Sequence, residues 1–151
     1  MHEALNNWGN VLSDQAKTKQ GDEADALFAL AGEKYAAALA IKPDKHEALS
    51  NWGAALLTQA NTKQGDEANA LFALAGEKFA QGEAILEGSC AYNLACLHGL
   101  LGDARKSAEW LLKAKNSSKP FPGCAHVTAD LDFDKVRNTK VFAKALKDVG
   151  C

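Results

Sequence analysis

The sequence predicts an all-α solenoid of stacked helix pairs, and three observations predict it. Residues 2–45 and 46–89 align without a gap, and 29 of 44 positions are identical. Apolar residues inside each half of that unit recur at three- and four-residue spacing, one face of a helix. The 151 residues include only three prolines and are rich in alanine, the best helix former. A repeat of this length whose stripes cannot be buried by one pair alone closes its core by stacking neighbours.

Within the first repeat, Leu5, Trp8, Leu12 and Ala16 place a helix over about His2 to Thr18. Gly21 breaks it, and Asp22 is the expected N-cap of the next helix. That helix runs from about Glu23 to Lys42 on the stripe Ala24, Leu27, Phe28, Ala31, Tyr35, Ala38 and Leu39. Pro43 ends it. The second repeat copies the pattern, with helices over roughly 46–62 and 67–87 and Gly88 as the stop. A third, shorter unit places helices near 89–101 and 104–115 around Gly102-Asp103. Residues 116–127 read as a loop broken by Pro120, Pro122 and Gly123. A short helix near 126–129 and a last helix near 138–148 follow, with Phe133, Val136, Val141, Phe142 and Leu146 as an apolar face.

These residues resemble the tetratricopeptide repeat (TPR) family. Its pattern appears as Leu5-x-x-Trp8-Gly9-x-x-Leu12, Ala31-x-x-x-Tyr35-x-x-Ala38 and Pro43. It returns as Leu49-x-x-Trp52-Gly53-x-x-Leu56 and Ala75-x-x-x-Phe79-x-x-Gly82, and as Ala91-x-x-Leu94-Ala95-x-x-His98 with Ser107-x-x-x-Leu111-x-x-Ala114. Gly9 and Gly53 are expected to let the second helix of each pair cross close to the first. The first two repeats exceed the usual 34 residues by about ten. The resemblance implies a right-handed superhelix forming one domain over 1–151: repeat one 2–45, repeat two 46–89, repeat three 89–122, and a C-terminal helical cap over 123–151.

Function follows from the same resemblance: a protein- or peptide-binding scaffold that uses the concave face, lined by the first helix of each repeat. Asn7, Asn51 and Asn93 occupy equivalent places there, joined by Asn6, Asn10, Ser50 and Tyr92. Asparagine both donates and accepts, so such a ladder can hold an extended backbone; equally, it can bond neighbouring helices together. Chaperone-binding members clamp a C-terminal carboxylate with lysine, arginine and asparagine. Asn10 and Asn51 match that clamp, but Asn6, Ser89 and Asn93 stand at its basic positions, so no chaperone-tail binding of that kind is expected. The alternative is a structural spacer or self-associating segment of a longer array, because His2 corresponds to His46 and the chain begins at a repeat boundary.

Other classes are disfavoured. The net charge of −2 offers no basic surface for nucleic acid. No nucleotide-binding glycine loop, zinc-protease or hydrolase motif occurs, so neither catalysis nor a cofactor is expected. Glu33-Lys34 and Glu77-Lys78 read as a solvated face. Cys90, Cys96, Cys124 and Cys151 lack metal-site spacing, and Cys96 with His98 finds no second ligand pair. All four read as free thiols in a reducing compartment. With no signal peptide and no apolar run of about 20 residues, the expected location is cytoplasmic, with no membrane partner.

Overall fold

The computed structural model describes residues 1–151 and contains helices only. In chain order these are α1 (His2–Lys17), α2 (Gly21–Ile41), α3 (His46–Ala60), α4 (Gly65–Ile85), α5 (Ala91–Leu100), α6 (Ala104–Asn116), α7 (Cys124–Ala129), a 3₁₀ turn (Leu131–Phe133) and α8 (Lys140–Asp148). Consecutive helices pack as pairs, as a TPR-like solenoid requires. The chain forms two compact units, Met1–Ile85 and Leu86–Cys151.

The first unit holds α1 to α4. Its inner surface is built from small residues and one aromatic per pair: Ala16, Ala31, Tyr35 and Ala38 in the first, Ala48, Ala60, Ala75 and Phe79 in the second, all at most 1% exposed. The glycines explain how closely each pair approaches. A Cβ on Gly9 would lie 2.6 Å from the Tyr35 ring, and one on Gly53 would lie 2.5 Å from the Phe79 ring. Only hydrogen leaves room for the aromatic edge. Trp52 joins the two pairs: it packs against the core of the first and would meet a Cβ on Gly32 at 3.2 Å.

The turn between the helices of each pair differs from expectation. Gly21 and Gly65 have φ of +59° and +61° and are the first residues of α2 and α4. Glycine accepts this left-handed geometry without strain, so the helix starts two residues early. Gln20, not Asp22, takes the N-cap position of α2, with no side-chain cap bond. Asp22 and Asp66 instead sit in the first turn, where a carboxylate favours the helix dipole. Another departure concerns Lys34 and Lys78, read above as solvated. Their Nζ atoms lie 3.9 Å and 4.0 Å from the ring centroids of Trp8 and Trp52, a cation–π pair in each repeat.

The second unit pairs α5 with α6, and Ser107 Oγ donates to the Ala95 carbonyl at 2.8 Å in its interior. The 3₁₀ turn packs on α5 and α8 packs on α6. Phe133, Phe142, Val127 and Val136 are fully buried, and the two phenylalanine rings lie 4.9 Å apart. The last helix starts at Lys140 because Thr139 caps it, accepting from the Phe142 amide at 3.3 Å.

The cysteine expectation is half corrected. Cys90 and Cys96 are buried thiols, but Cys124 and Cys151 are joined by a disulfide that ties the chain's end to α7. Their separation of 27 residues gives no hint of proximity in sequence. The fold brings their Cα atoms to 5.3 Å, within reach of an S–S bond.

Candidate functional site

The first helices of the two long repeats, α1 and α3, pack side by side. Between them lies a groove of about 270 Å³ lined by Asn10, Ser13, Asp14, Lys17, Tyr35, Asn51, Ala54, Ala55 and Thr58. Helical periodicity aims one wall from α1 and the other from α3, and Tyr35 reaches in from α2.

Polar groups inside the groove are held in place. The Tyr35 hydroxyl donates to Asn10 Oδ1 at 2.8 Å. Asn51 Nδ2 donates to Asn6 Oδ1 at 3.1 Å, a bond from α3 to α1. These bonds fix both asparagine amides. Each amide has a second polar atom, Asn10 Nδ2 as a donor and Asn51 Oδ1 as an acceptor. Burial, and secondarily the charge of Asp14, pushes the Tyr35 hydroxyl well above its ordinary pKa, so it stays a donor at all physiological pH. At the rim Lys17 pairs with Asp14 at 2.8 Å, with half of the lysine side chain and 73% of the carboxylate exposed.

A second wall interaction closes the loop end of the unit. Lys63 and Gln59 both donate to Asp25, joining α3 and its following turn to α2. The lysine hydrogen bond is the largest cause of a depressed Asp25 pKa, opposed by burial and helped by Gln59.

The sequence-predicted site residues are distributed as follows. Asn10 and Asn51 line the groove. Asn6 is buried behind it, bonded to Asn51. Asn7 is exposed and Ser50 half-buried. Tyr92 and Asn93 belong to the second unit and are half-buried. The Tyr92 hydroxyl donates to Asp130 Oδ2 at 2.9 Å, and its ring packs edge-on against Phe121 and Phe133.

Sequence reasoning missed Ser13, Asp14, Lys17, Tyr35, Ala54, Ala55 and Thr58. A signal for most of them was present. Asn10 faces Ala54 in the repeat alignment, Ser13 faces Leu57, Asp14 faces Thr58, Lys17 faces Asn61, Tyr35 faces Phe79 and Val11 faces Ala55. Of the nine groove residues, only Asn51 is the same in both repeats. Six of the fifteen differences between the duplicated units fall on the groove.

Residues 2–95 match the family model of the plant specific mitochondrial import receptor subunit TOM20, more than half of the chain and all but the first residue of its first compact unit. The chain belongs to this family. No curated protein and no solved structure matches the chain. Membership supports a TPR-like helical repeat that binds proteins, in a family of receptors rather than enzymes. It also overturns the cytoplasmic expectation: an import receptor family points to the mitochondrial outer membrane surface rather than to free cytoplasm. The absence of a signal peptide misled because it reports on secretion and not on an address facing the cytosol. No helix in the chain is long and apolar enough to cross a membrane.

Proposed function

We propose that the groove between α1 and α3 is a receptor surface for a mitochondrial targeting segment of another protein. The observation that carries this is the divergence of the two repeats at six of the seven aligned positions that line the groove, against 29 identities over the 44 aligned. The groove chemistry suits such a ligand. Targeting segments of this kind are amphipathic, rich in arginine and serine and poor in acid. Asn10 Nδ2 and Asn51 Oδ1 offer one donor and one acceptor to a peptide backbone or a serine hydroxyl. Asp14 offers a rim carboxylate whose present partner, Lys17, an arginine can replace with a bidentate contact. Ala54 and Ala55 leave floor space for an apolar side chain.

The test is a titration of the full chain with a fluorescent basic amphipathic peptide, read by anisotropy. Ala54→Arg places bulk and a repelling charge in the groove at an exposed position. It is expected to weaken binding at least about tenfold, or 1.4 kcal/mol, with unchanged helicity. Equal affinity for the variant and the wild type sinks the groove as the site.

A second reading is favoured by one observation. Trp8 and Val11 on α1 are 51% and 64% exposed, whereas Trp52, the repeat equivalent of Trp8, packs on its neighbouring pair. Self-association through this face would cover them. Light scattering that shows a concentration-dependent dimer, abolished by Trp8→Gln, would favour it; a monomer at all concentrations removes it.

A further inference from the structure

Three metal-ligating side chains converge in the second unit, with a fourth, His126, beside one of them. Cys96 stands on α5, His126 on α7, and Asp130 and Asp132 at the 3₁₀ turn. One ligand atom from each of Cys96, Asp130 and Asp132 lies within 4.8 Å of the others. Cys96 Sγ is 3.7 Å from Asp130 Oδ2, and His126 Nε2 is 3.8 Å from that same oxygen. In a tetrahedral site with a metal–sulfur bond of about 2.3 Å and metal–oxygen or –nitrogen bonds of about 2.0 Å, ligand atoms stand roughly 3.3–3.5 Å apart. The Cys96–Asp130 and His126–Asp130 separations need to close by about 0.2 and 0.5 Å, and the exposed His126 ring must also turn towards Cys96 and Asp132 to complete the set.

The ligands are also held from behind. The Tyr92 hydroxyl donates to Asp130 Oδ2 and the Asp132 amide donates to Asp130 Oδ1, at 2.9 Å and 3.0 Å. The Arg137 guanidinium binds the carbonyls of Thr128 and Asp130, fixing the backbone between α7 and the 3₁₀ turn. A Cβ on Gly99 would lie 2.5 Å from the Asp132 carbonyl, so the turn is seated directly on α5. Such outer contacts orient ligands in metal sites.

Charge is the part that hydrogen bonding leaves unexplained. Tyr92 and Cys96 both donate to Asp130, and a second carboxylate, Asp132, stands beside it and shares the same thiol. No lysine or arginine pairs with the side chain of either; Arg137 spends its ion pair on Asp134. A cation in their midst would balance the two adjacent carboxylates.

We propose that Cys96, Asp130 and Asp132, with the exposed His126 as fourth ligand, form a zinc site that clamps α5 to the C-terminal segment. One sulfur, one imidazole nitrogen and two carboxylates suit tetrahedral zinc; magnesium and calcium want six or more oxygens. Binding replaces the thiol proton, which leaves to solvent, so affinity falls as pH is lowered. The ion enters from the side of His126, whose ring is 63% exposed.

The test uses the full chain with its disulfide intact, stripped with chelator and titrated with cobalt(II) as the probe and zinc as its competitor. The expected result is a thiolate-to-cobalt charge-transfer band that saturates at one equivalent and is displaced by one equivalent of zinc. Cys96→Ser removes the band and Cys90→Ser keeps it. Asp132→Asn and His126→Ala, which leave the buried thiol in place, weaken zinc at least about tenfold. The proposal is overturned by the absence of a band in the wild type, by its persistence in Cys96→Ser, or by Asp132→Asn holding zinc as tightly as the wild type, the mark of an adventitious ion only.

Discussion

Replacing Gly53 by alanine sets two effects against each other, and the structure decides the sign. Gly53 lies inside α3, where helix propensity alone favours alanine by about 1 kcal/mol. The new Cβ, however, would stand 2.5, 2.7 and 2.9 Å from three atoms of the Phe79 ring. Carbon atoms settle at roughly 3.5–4.0 Å, so the ring must retreat by about 1 Å. Phe79 is 0% exposed, so its ring has no route into solvent. Overpacking of this kind costs about 1–3 kcal/mol, and a contact this short at an immobile ring belongs near the upper end. The net expectation is a loss of roughly 1–2 kcal/mol, measured as a lower midpoint in urea denaturation followed by circular dichroism, with an unchanged slope. Combining it with Phe79→Leu should cost less than the sum of the two single changes, because the smaller side chain vacates the contact. A stabilised Gly53→Ala protein, or strict additivity in the double variant, would refute the close-crossing account of the repeat.

Tyr35→Phe removes a hydroxyl that donates to Asn10, and the second repeat already accommodates phenylalanine at the equivalent position; a loss of about 1 kcal/mol is expected by the same denaturation assay. Lys63→Met should raise the Asp25 pKa towards the ordinary carboxylate value, seen by NMR titration. Because the folded Asp25 pKa is depressed, its contribution to stability is present above the unfolded value of about 3.9 and is lost as pH falls through the folded value, so the variant should lose part of its acid-limb dependence. Cys151→Ser opens a loop of 27 residues and should destabilise the second unit by up to about 3.5 kcal/mol, and reducing agent should change the wild type but not the variant.

The fold was legible because its causes are local and written twice. The Trp8-Gly9 and Trp52-Gly53 pairs, the apolar stripes and the breakers at Gly21 and Pro43 each act within a few residues, and duplication doubles the signal. The N-cap was misplaced because glycine's left-handed turn at Gly21 competes with the capping preference of Asp22, and the backbone settled it. Of the candidate site, Asn10 and Asn51 were readable from their places in the motif. Tyr35 was read as core, correctly, but its hydroxyl also reaches the groove, and one-dimensional patterning cannot show both ends of a side chain. The Cys96–Asp130–Asp132 cluster and the Cys124–Cys151 bond were invisible for a different reason: their partners are 27 to 36 residues apart, and only tertiary packing brings them together.

The groove between the repeats has unequal walls. Asn10, Ser13, Asp14 and Lys17 make one side hydrogen-bonding and charged, while Ala54, Ala55 and Thr58 make the other short and mostly apolar. The walls share two aligned positions, and both differ: Asn10 stands against Ala54 and Asp14 against Thr58. A guest laid across this seam therefore has a preferred orientation, its charged edge towards α1 and its apolar edge towards α3. Swapping those edges while keeping composition constant would present arginine to alanine and leucine to aspartate, so a guest bound as proposed would be read for the way round it faces.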